Sequence, residues 1–387
     1  MQEGEREQLA AITAQSFAIA ADRLAMHTST PIDECWVAVR GGRIEAALRA
    51  ERVGQFLGGR VVSVAAISAV QTAADRRGTG VGKALLSGVQ QALRSEGVSV
   101  SLLYPATIRP YRAVGYEFAG AYVRYRLPIH AIPRVPPHQP VEPWDGSALP
   151  EIQECYRQFA ELSHGLLSRS PRWWERRILA ESPNRPQYRY LVRSNDRVTG
   201  YIIYTHRQAP GDLDYSYTLT CHDLVWLDYG SARALLALAA SHGAVGVDLL
   251  WTGPVEEPLF GCIDSVEIRI AESSRWMAQL VDVKAALEAR GYPRTVRASV
   301  TLRVLDRQSS WNEGTISLEI ADGEGSVSRA DGRAAEVDVG TLAALFTGWL
   351  PARDAVRCGG LRGADPVVVA TLEAIFGGPK PWMQDRF

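Results

Sequence analysis

Residues 60–116 read RVVSVAAISAVQTAADRRGTGVGKALLSGVQQALRSEGVSVSLLYPATIRPYRAVGY. The apolar run from Val61 to Val70 predicts a strand, which leads through a short polar turn into Arg77-Gly78-Thr79-Gly80-Val81-Gly82. Val81, Ala84, Leu85, Val89 and Leu93 then recur at helical spacing. A second apolar strand follows from Val98 to Tyr104. Glycines at the start of a helix let backbone N–H groups come close to an anion, and the positive end of the helix dipole adds to the attraction.

Spacing narrows the choice of anion. The dinucleotide fingerprint needs G-x-G-x-x-G, whereas the glycines here are Gly78, Gly80 and Gly82. The nucleotide P-loop needs Ser or Thr after Gly-Lys, but Gly82-Lys83 is followed by Ala84. Arg77, Gly80 and Gly82 fill the pattern R-x-x-G-x-G. That pattern resembles the acetyl-CoA pyrophosphate loop of the GNAT superfamily of N-acetyltransferases. Taken alone, the loop also suits a helix start that merely wants glycine.

The rest of the composition sets bounds. A chain of 387 residues is long enough for two or three domains. Hydrophobic content of 46% supports a sizeable core, and a net charge of −1 implies no bulk attraction to nucleic acid. No apolar run reaches membrane length and the start MQEGEREQLA is polar. The expectation is a cytoplasmic protein with no membrane partner; secretion without a signal peptide is the alternative. Cys35, Cys155, Cys221, Cys262 and Cys358 are odd in number and scattered, as expected of reduced thiols. The seven histidines form no ligand-like spacing, so no metal is expected.

In chain order, Glu5 to Leu24 reads as a helix with Leu9, Ile12, Phe17 and Ala20 on its apolar side. Cys35–Arg40 and Arg43–Glu51 read as a hairpin around Gly41-Gly42, and Gly58-Gly59 turns into the strand quoted above. After Tyr104 come a short helix ending at Gly115 and a strand from Glu117 to Leu127. Pro128, Pro133, Pro136, Pro137, Pro140 and Pro143 suggest an extended linker. The plan then repeats. A helix spans Leu149–Leu162, a hairpin Tyr188–Arg193 and Val198–His206, and a strand Leu219–Leu227. A helix over Ser231–Ser241 and a strand over Val245–Trp251 complete the second copy. Where the first copy has its glycine loop, the second has Asp228-Tyr229-Gly230-Ser231-Ala232-Arg233. The spacing is lost and an acid stands where phosphate would lie, so the second copy is expected not to bind coenzyme.

A third composition begins near Val281: a helix over Val283–Ala289, then strands Val296–Leu305, Gly314–Ala321, Ser326–Ala330 and Ala335–Val339. Thr341–Phe346 and Pro366–Phe376 read as helices. Asp306, Asp338-Val339 and the helix carrying Leu342 and Leu345 look like a sterol-carrier-like domain; a generic small α+β domain also fits. The expected fold class is α+β (α/β): two tandem GNAT-like mixed-sheet domains, 1–127 and 128–280, then a sterol-carrier-like domain, 281–387.

That order resembles the enhanced intracellular survival (Eis) family of N-acetyltransferases. The resemblance spans the chain, with the specific motifs in Ala69–Lys83 and Tyr111–Tyr116. It implies that Tyr111, in Tyr111-Arg112-Ala113-Val114-Gly115-Tyr116, is the proton donor, and that the α-carboxylate of Phe387 is the proton acceptor. It places coenzyme contacts at Val70, Gln71, Thr72, Gly78, Thr79, Gly80, Val81, Gly82, Lys83, Ala106 and Thr107. It also implies acetyl-CoA as co-substrate, a small-molecule or lysine amine as acceptor, and a homohexamer. The chemistry is consistent. An α-carboxylate with an ordinary pKa near ~3.5 is ionised and can accept a proton, whereas a phenol near ~10 stays protonated and can donate one.

On the residues alone, Tyr111 also suits a packing tyrosine, Phe387 a frayed end, and Arg76 and Arg77 solvated charges. Asp33, Glu34 and Trp36 suit either an amine pocket or a hairpin edge, and with Glu117 the two acids are the alternative bases. Arg386 beside the terminal carboxylate disfavours polycationic acceptors such as aminoglycosides. The rival function is a lipid- or small-molecule-binding protein with a vestigial acetyltransferase fold.

Overall fold

The computed structural model describes residues 3–18, 32–133, 139–181, 186–209 and 215–387. Its contacts form two compact units. One is Met1–Ala119 with Arg275–Gly378 and Arg386–Phe387; the other is Gly120–Ser274 with Pro379–Asp385.

The first copy opens with helix α1 (Glu3–Phe17) and strands β1 (Cys35–Arg40), β2 (Arg43–Leu57) and β3 (Arg60–Thr72). The expected continuation of α1 to Ala20 and Leu24 lies outside the described residues. Gly41 and Gly42 have φ of 55° and 74°, the left-handed pair that a two-residue hairpin turn requires. β2 runs on to Leu57 rather than stopping at Glu51. The charges at this point are paired, Glu51 with Arg49 and Arg52 with Glu96. Helix α2 (Val81–Ser95) buries Leu85, Leu86, Val89 and Leu93. Ala84 faces solvent, contrary to the expected stripe, because Leu86 takes the core position instead. β4 is Val100–Leu103, shorter than expected at both ends, and is followed by α3 (Arg109–Arg112) and β5 (Glu117–Pro128).

The second copy runs β6 (Val141–Pro143), α4 (Leu149–Glu161), β7 (Gln187–Ser194), β8 (Arg197–Gln208), β9 (Tyr217–Trp226), α5 (Tyr229–Ser241), β10 (Gly246–Gly253) and β11 (Arg269–Leu280). The proline segment is not wholly a linker. Ile129 and Ile132 are buried, and β6 pairs antiparallel with β7. Pro136 and Pro137 lie outside the described residues. β11 was not anticipated. Its second half, Met277–Leu280, pairs antiparallel with Leu103–Val100 of β4 in the first unit. The first unit's large sheet is therefore β1-β2-β3-β4-β11, and the second unit's is β5-β10-β9-β8-β7-β6.

The third region forms α6 (Val283–Ala289), β12 (Ala298–Leu305), β13 (Gly314–Ala321), β14 (Glu324–Arg329), β15 (Ala335–Asp338), α7 (Val339–Thr347), α8 (Ala352–Arg357), β16 (Leu361–Arg362) and α9 (Pro366–Phe376). Its sheet order is β14-β13-β12-β15-β16. Most ends fall within two residues of the sequence expectation, the usual uncertainty of element boundaries. α8 and β16 are too short to have been legible.

Candidate functional site

β3 and β4 pair in parallel only from Val64↔Val100 to Ile67↔Leu103. Beyond that point β3 continues to Thr72 without β4 beside it. The divergence coincides with a bulge. On β2 the partners step from Arg49 to Ala47, while on β3 they step from Ser68 to Gln71. Ala69 sits in the bulge with φ of 49°, a left-handed conformation that a residue with a side chain rarely adopts. Bulges re-aim the backbone and end pairing, often beside functional sites. Val70, Gln71 and Thr72 follow directly. The Gln71 side chain is buried and donates to Thr13 Oγ1 at 3.0 Å, so what this stretch can offer a ligand is backbone.

The glycine loop follows. Gly78 and Gly80 have φ of 79° and 89°, and a Cβ on either would meet nothing within 4 Å. The backbone demands glycine, and the space beside it is open. Gly82 is packed, with a Cβ there coming 3.1 Å from Thr72 Oγ1. The helix N-cap is Gly80, with no side-chain hydrogen bond capping the helix. Nearby acids are neutralised. Arg43 pairs in bidentate fashion with Asp75 at 2.8 and 2.7 Å, holding that carboxyl below its usual range, and Arg76 lies 3.0 Å from Glu45. Arg77 and Lys83 are exposed, and neither has an acidic partner among the described residues. Free amides, open space and two unpaired cations can hold a polyanion. Beside Lys83 lies a cavity of about 890 Å³, which Arg112, Glu117, Arg307, Asp338 and Arg362 also line.

Ala106 and Thr107 lie exposed in the loop after β4. Tyr111 on α3 is half-buried against the core and meets the Tyr116 ring edge-on at 6.0 Å. Burial raises its pKa, which keeps the hydroxyl protonated and able to donate. Tyr116 is the packing tyrosine of the two, fully buried and hydrogen-bonded to Ser101 at 2.7 Å. The Phe387 ring packs on Tyr104, just past the end of β4, at 5.4 Å between centroids, and the Arg386 guanidinium lies over the same ring. The first unit thus holds the last residue beside the point where β3 and β4 part. The other candidate acids are engaged: Glu34 with Arg49, and Glu117 in a bidentate pair with Arg112. Asp33 is exposed, and its carbonyl accepts from Arg52.

The second copy keeps the same framework. β9 pairs in parallel with β10 only as far as Thr220↔Leu250, and its register with β8 shifts between Cys221 and Asp223. Its helix start differs. Asp228 is the N-cap of α5, with φ of −145°, and accepts from Ser231 N at 2.7 Å. A side-chain carboxylate occupies the place where a phosphate would be held.

A buried network at the second bulge had no legible signal in the sequence. Arg169 grips Asp223 in bidentate fashion at 2.6 and 2.9 Å and reaches both oxygens of Asp385 at 3.2 Å. The side chains of Arg169 and Asp223 are fully buried. Tyr201 donates to Asp223 at 2.9 Å and Trp173 Nε1 to Asp385 at 3.0 Å. The segment carrying Asp385 also binds by backbone: Ala121 N to Pro381 O at 3.0 Å, Trp382 N to His164 O at 2.9 Å and Met383 N to Ala121 O at 3.0 Å. Distant residues joined this way carry no local pattern.

Among the described residues no group of three metal-binding side chains gathers, and no helix is long and apolar enough to cross a membrane. All five cysteines are free; Cys155, Cys221 and Cys262 are buried.

Comparison with known proteins gives consistent likenesses. Acetyltransferase (GNAT) domain models match residues 1–119 and 165–285, and a sterol carrier protein domain model matches 283–384. A search of curated proteins gives no match. Among solved structures, a GCN5-related N-acetyltransferase from Anabaena variabilis is 30% identical, with a TM-score of 0.94 over 100% of this chain and 98% of that one. A GCN5-related N-acetyltransferase from Kribbella flavida is 27% identical, with a TM-score of 0.86 over 100% and 97%. Eis1 from Mycobacterium abscessus has the same fold, with 21% identity and a TM-score of 0.81 over 100% and 98%.

Proposed function

The chain belongs to the GCN5-related N-acetyltransferases, with two acetyltransferase domains and a sterol-carrier-like domain, and from that premise we propose that it transfers acetyl from acetyl-CoA to a primary amine. The acceptor is a small-molecule amine or a lysine side chain. The observation that carries this proposal is the first copy's uncapped helix start, flanked by open space and by Arg77 and Lys83, which have no acidic partner among the described residues. A vestigial site would look like Asp228 in the second copy.

The coenzyme supplies an acetyl thioester. Backbone at Val70, Gln71 and Thr72, with Ala106 and Thr107, orients it, and Gly78 through Lys83 hold its pyrophosphate. The amine nitrogen forms the new bond to the acetyl carbon as the carbon–sulfur bond breaks. The α-carboxylate of Phe387 takes the proton that the amine must lose. The Tyr111 hydroxyl gives its proton to the departing sulfur. Arg386, the residue next to Phe387 in the chain, selects against polycationic acceptors by repulsion. The proposed domain borders are 1–127, 128–280 and 281–387, and the proposed setting is a cytoplasmic homohexamer. A coenzyme-release assay against a panel of monoamines and lysine peptides tests the activity. Release of free thiol only when both acetyl-CoA and an amine are present is the expected result. No binding and no turnover of acetyl-CoA would remove the proposal.

A further inference from the structure

The most heavily built feature outside the proposed coenzyme loop is the fully buried Arg169 network, and it closes on the chain's own last residues. Chain ends ordinarily fray, because ordering each residue costs backbone entropy. Here the segment before the end is held at every residue from Pro381 to Asp385. Trp382 and Met383 are buried, and three backbone hydrogen bonds tie the segment to Ala121 and His164. Gln384 Nε2 donates to His222 O at 3.3 Å and to Asp223. Asp385 takes Arg169 and Trp173.

The location matters as much as the strength. His222 and Asp223 are the bulge of β9, the position corresponding to Ala69 in the first copy. In the first copy no side chain among the described residues bonds to this backbone, and it is the stretch proposed to receive the coenzyme. In the second, the carbonyl of the bulge residue accepts from Gln384 and the carboxylate after it from Gln384 and Arg169, and Arg169 in turn reaches Asp385. Burying an ion network gains little stability compared with apolar packing of the same volume, so its presence calls for a role in specificity.

Building on the role proposed for Phe387, we infer that the second acetyltransferase copy has exchanged coenzyme binding for a socket that holds the C-terminal segment, with Asp385 and Arg169 as positioning residues for the proton-accepting carboxylate. Asp385 is two residues before that group, a span of about 7 Å at full extension, so fixing Asp385 confines the base to a small volume. A displacement of about 1 Å at a reacting group can cost on the order of a hundredfold in rate.

Asp385→Ala tests this without stranding a buried cation, since Arg169 keeps its bidentate pair with Asp223. Trp173→Phe is the milder second variant, removing one hydrogen bond to Asp385 while retaining ring volume. Both are measured in the natural chain and in a chain extended by a few residues past Phe387, which lacks the terminal carboxylate at that position. Expected for Asp385→Ala in the natural chain is a fall in kcat of about tenfold or more, with acetyl-CoA affinity unchanged within about twofold. In the extended chain the same substitution should leave the residual turnover unchanged. An equal fall in both backgrounds, or in neither, overturns the socket while leaving Phe387 as base. If the extension itself leaves kcat unchanged, the carboxylate is not the base, and both the proposed role and the socket fall.

Discussion

The two acetyltransferase copies build the same strand, bulge and helix and differ in what meets them. In the first, β3 parts from β4 after Ile67, Ala69 takes up a left-handed bulge, and α2 starts at Gly80 with no side chain over its amides. In the second, β9 parts from β10 after Thr220 and its bulge is taken by Gln384, while α5 is capped by Asp228. On the proposed reading, the same backbone opening serves as a ligand slot in one copy and as a fastening in the other. A duplicate that, as proposed, no longer binds coenzyme is then not a spare domain. It leaves hydrogen-bonding groups that must be satisfied, and in this chain they are satisfied by its own tail.

The largest expected effect on this comparison comes from the chain end. Residues added after Phe387 replace its carboxylate with a neutral amide and move the charge away. Turnover should fall by the ~10²–10⁴ typical of losing a positioned base, with acetyl-CoA affinity nearly unchanged. A matched pair of proteins tagged at one end or the other gives the measurement; equal kcat would return the base to the acids of the first unit, although Glu34 and Glu117 are already tied to arginines.

Next comes Gly80→Glu. It places a carboxylate in the open space beside the uncapped helix start, copying the second copy's charge, and forces a side chain onto a φ of 89°. Acetyl-CoA affinity by calorimetry should drop by at least about a hundredfold, since the new charge repels the phosphates the site must hold. A folded variant with unchanged affinity would refute the loop's assignment. Tyr111→Phe is expected to act in the opposite sense, lowering turnover while coenzyme binding holds.

Much of this contrast was legible in the sequence. Glycine spacing separated Arg77–Gly82 from Asp228–Arg233, and hairpin glycines fixed the first three strands. What escaped was non-local or paired. β11 has a largely exposed first half and joins β4 at Met277↔Leu103, a contact no local pattern encodes. The continuation of β2 past Glu51 rests on side-chain pairs, Glu51 with Arg49 and Arg52 with Glu96. Arg169, Asp223 and Asp385 are three ordinary charges until the fold buries them together.

A third difference is in how acids are handled. Asp75 and Glu45, near the first loop, are paired with arginines. Glu257, in the second unit, is buried with Leu259 N and Trp251 Nε1 as its donors among the described residues, and burial pushes its carboxyl up to about 7 despite those bonds. A carboxyl whose folded pKa is raised contributes stability below its unfolded value and loses it as pH rises through the folded value. The window is therefore pH ~4.5 to ~7, and the loss across it is about 3 kcal/mol. Denaturant unfolding of the second unit at pH 5 and pH 8 should show this loss, and Glu257→Gln should remove most of it. An unchanged pH slope in that variant would assign the effect elsewhere.

The smallest expected effect is the most direct on the divergence itself. Asp228 caps α5 by accepting from Ser231 N, so Asp228→Ala should destabilise the second unit by about 1 kcal/mol, the usual cost of losing such a cap. It should not restore coenzyme binding. The N-cap of α5 has the extended φ of −145°, whereas Gly80 caps α2 at 89°, so the two helix starts present their amides differently even without the carboxylate. The second loop also has no basic residue at the position of Arg77, and its bulge remains filled by Gln384. Acetyl-CoA binding should therefore stay at one site per chain in Asp228→Ala, as counted by calorimetric stoichiometry. A second site appearing on removal of this one side chain would mean that the copies differ by a single carboxylate, and that the loop's left-handed glycines matter less than the charge they keep out.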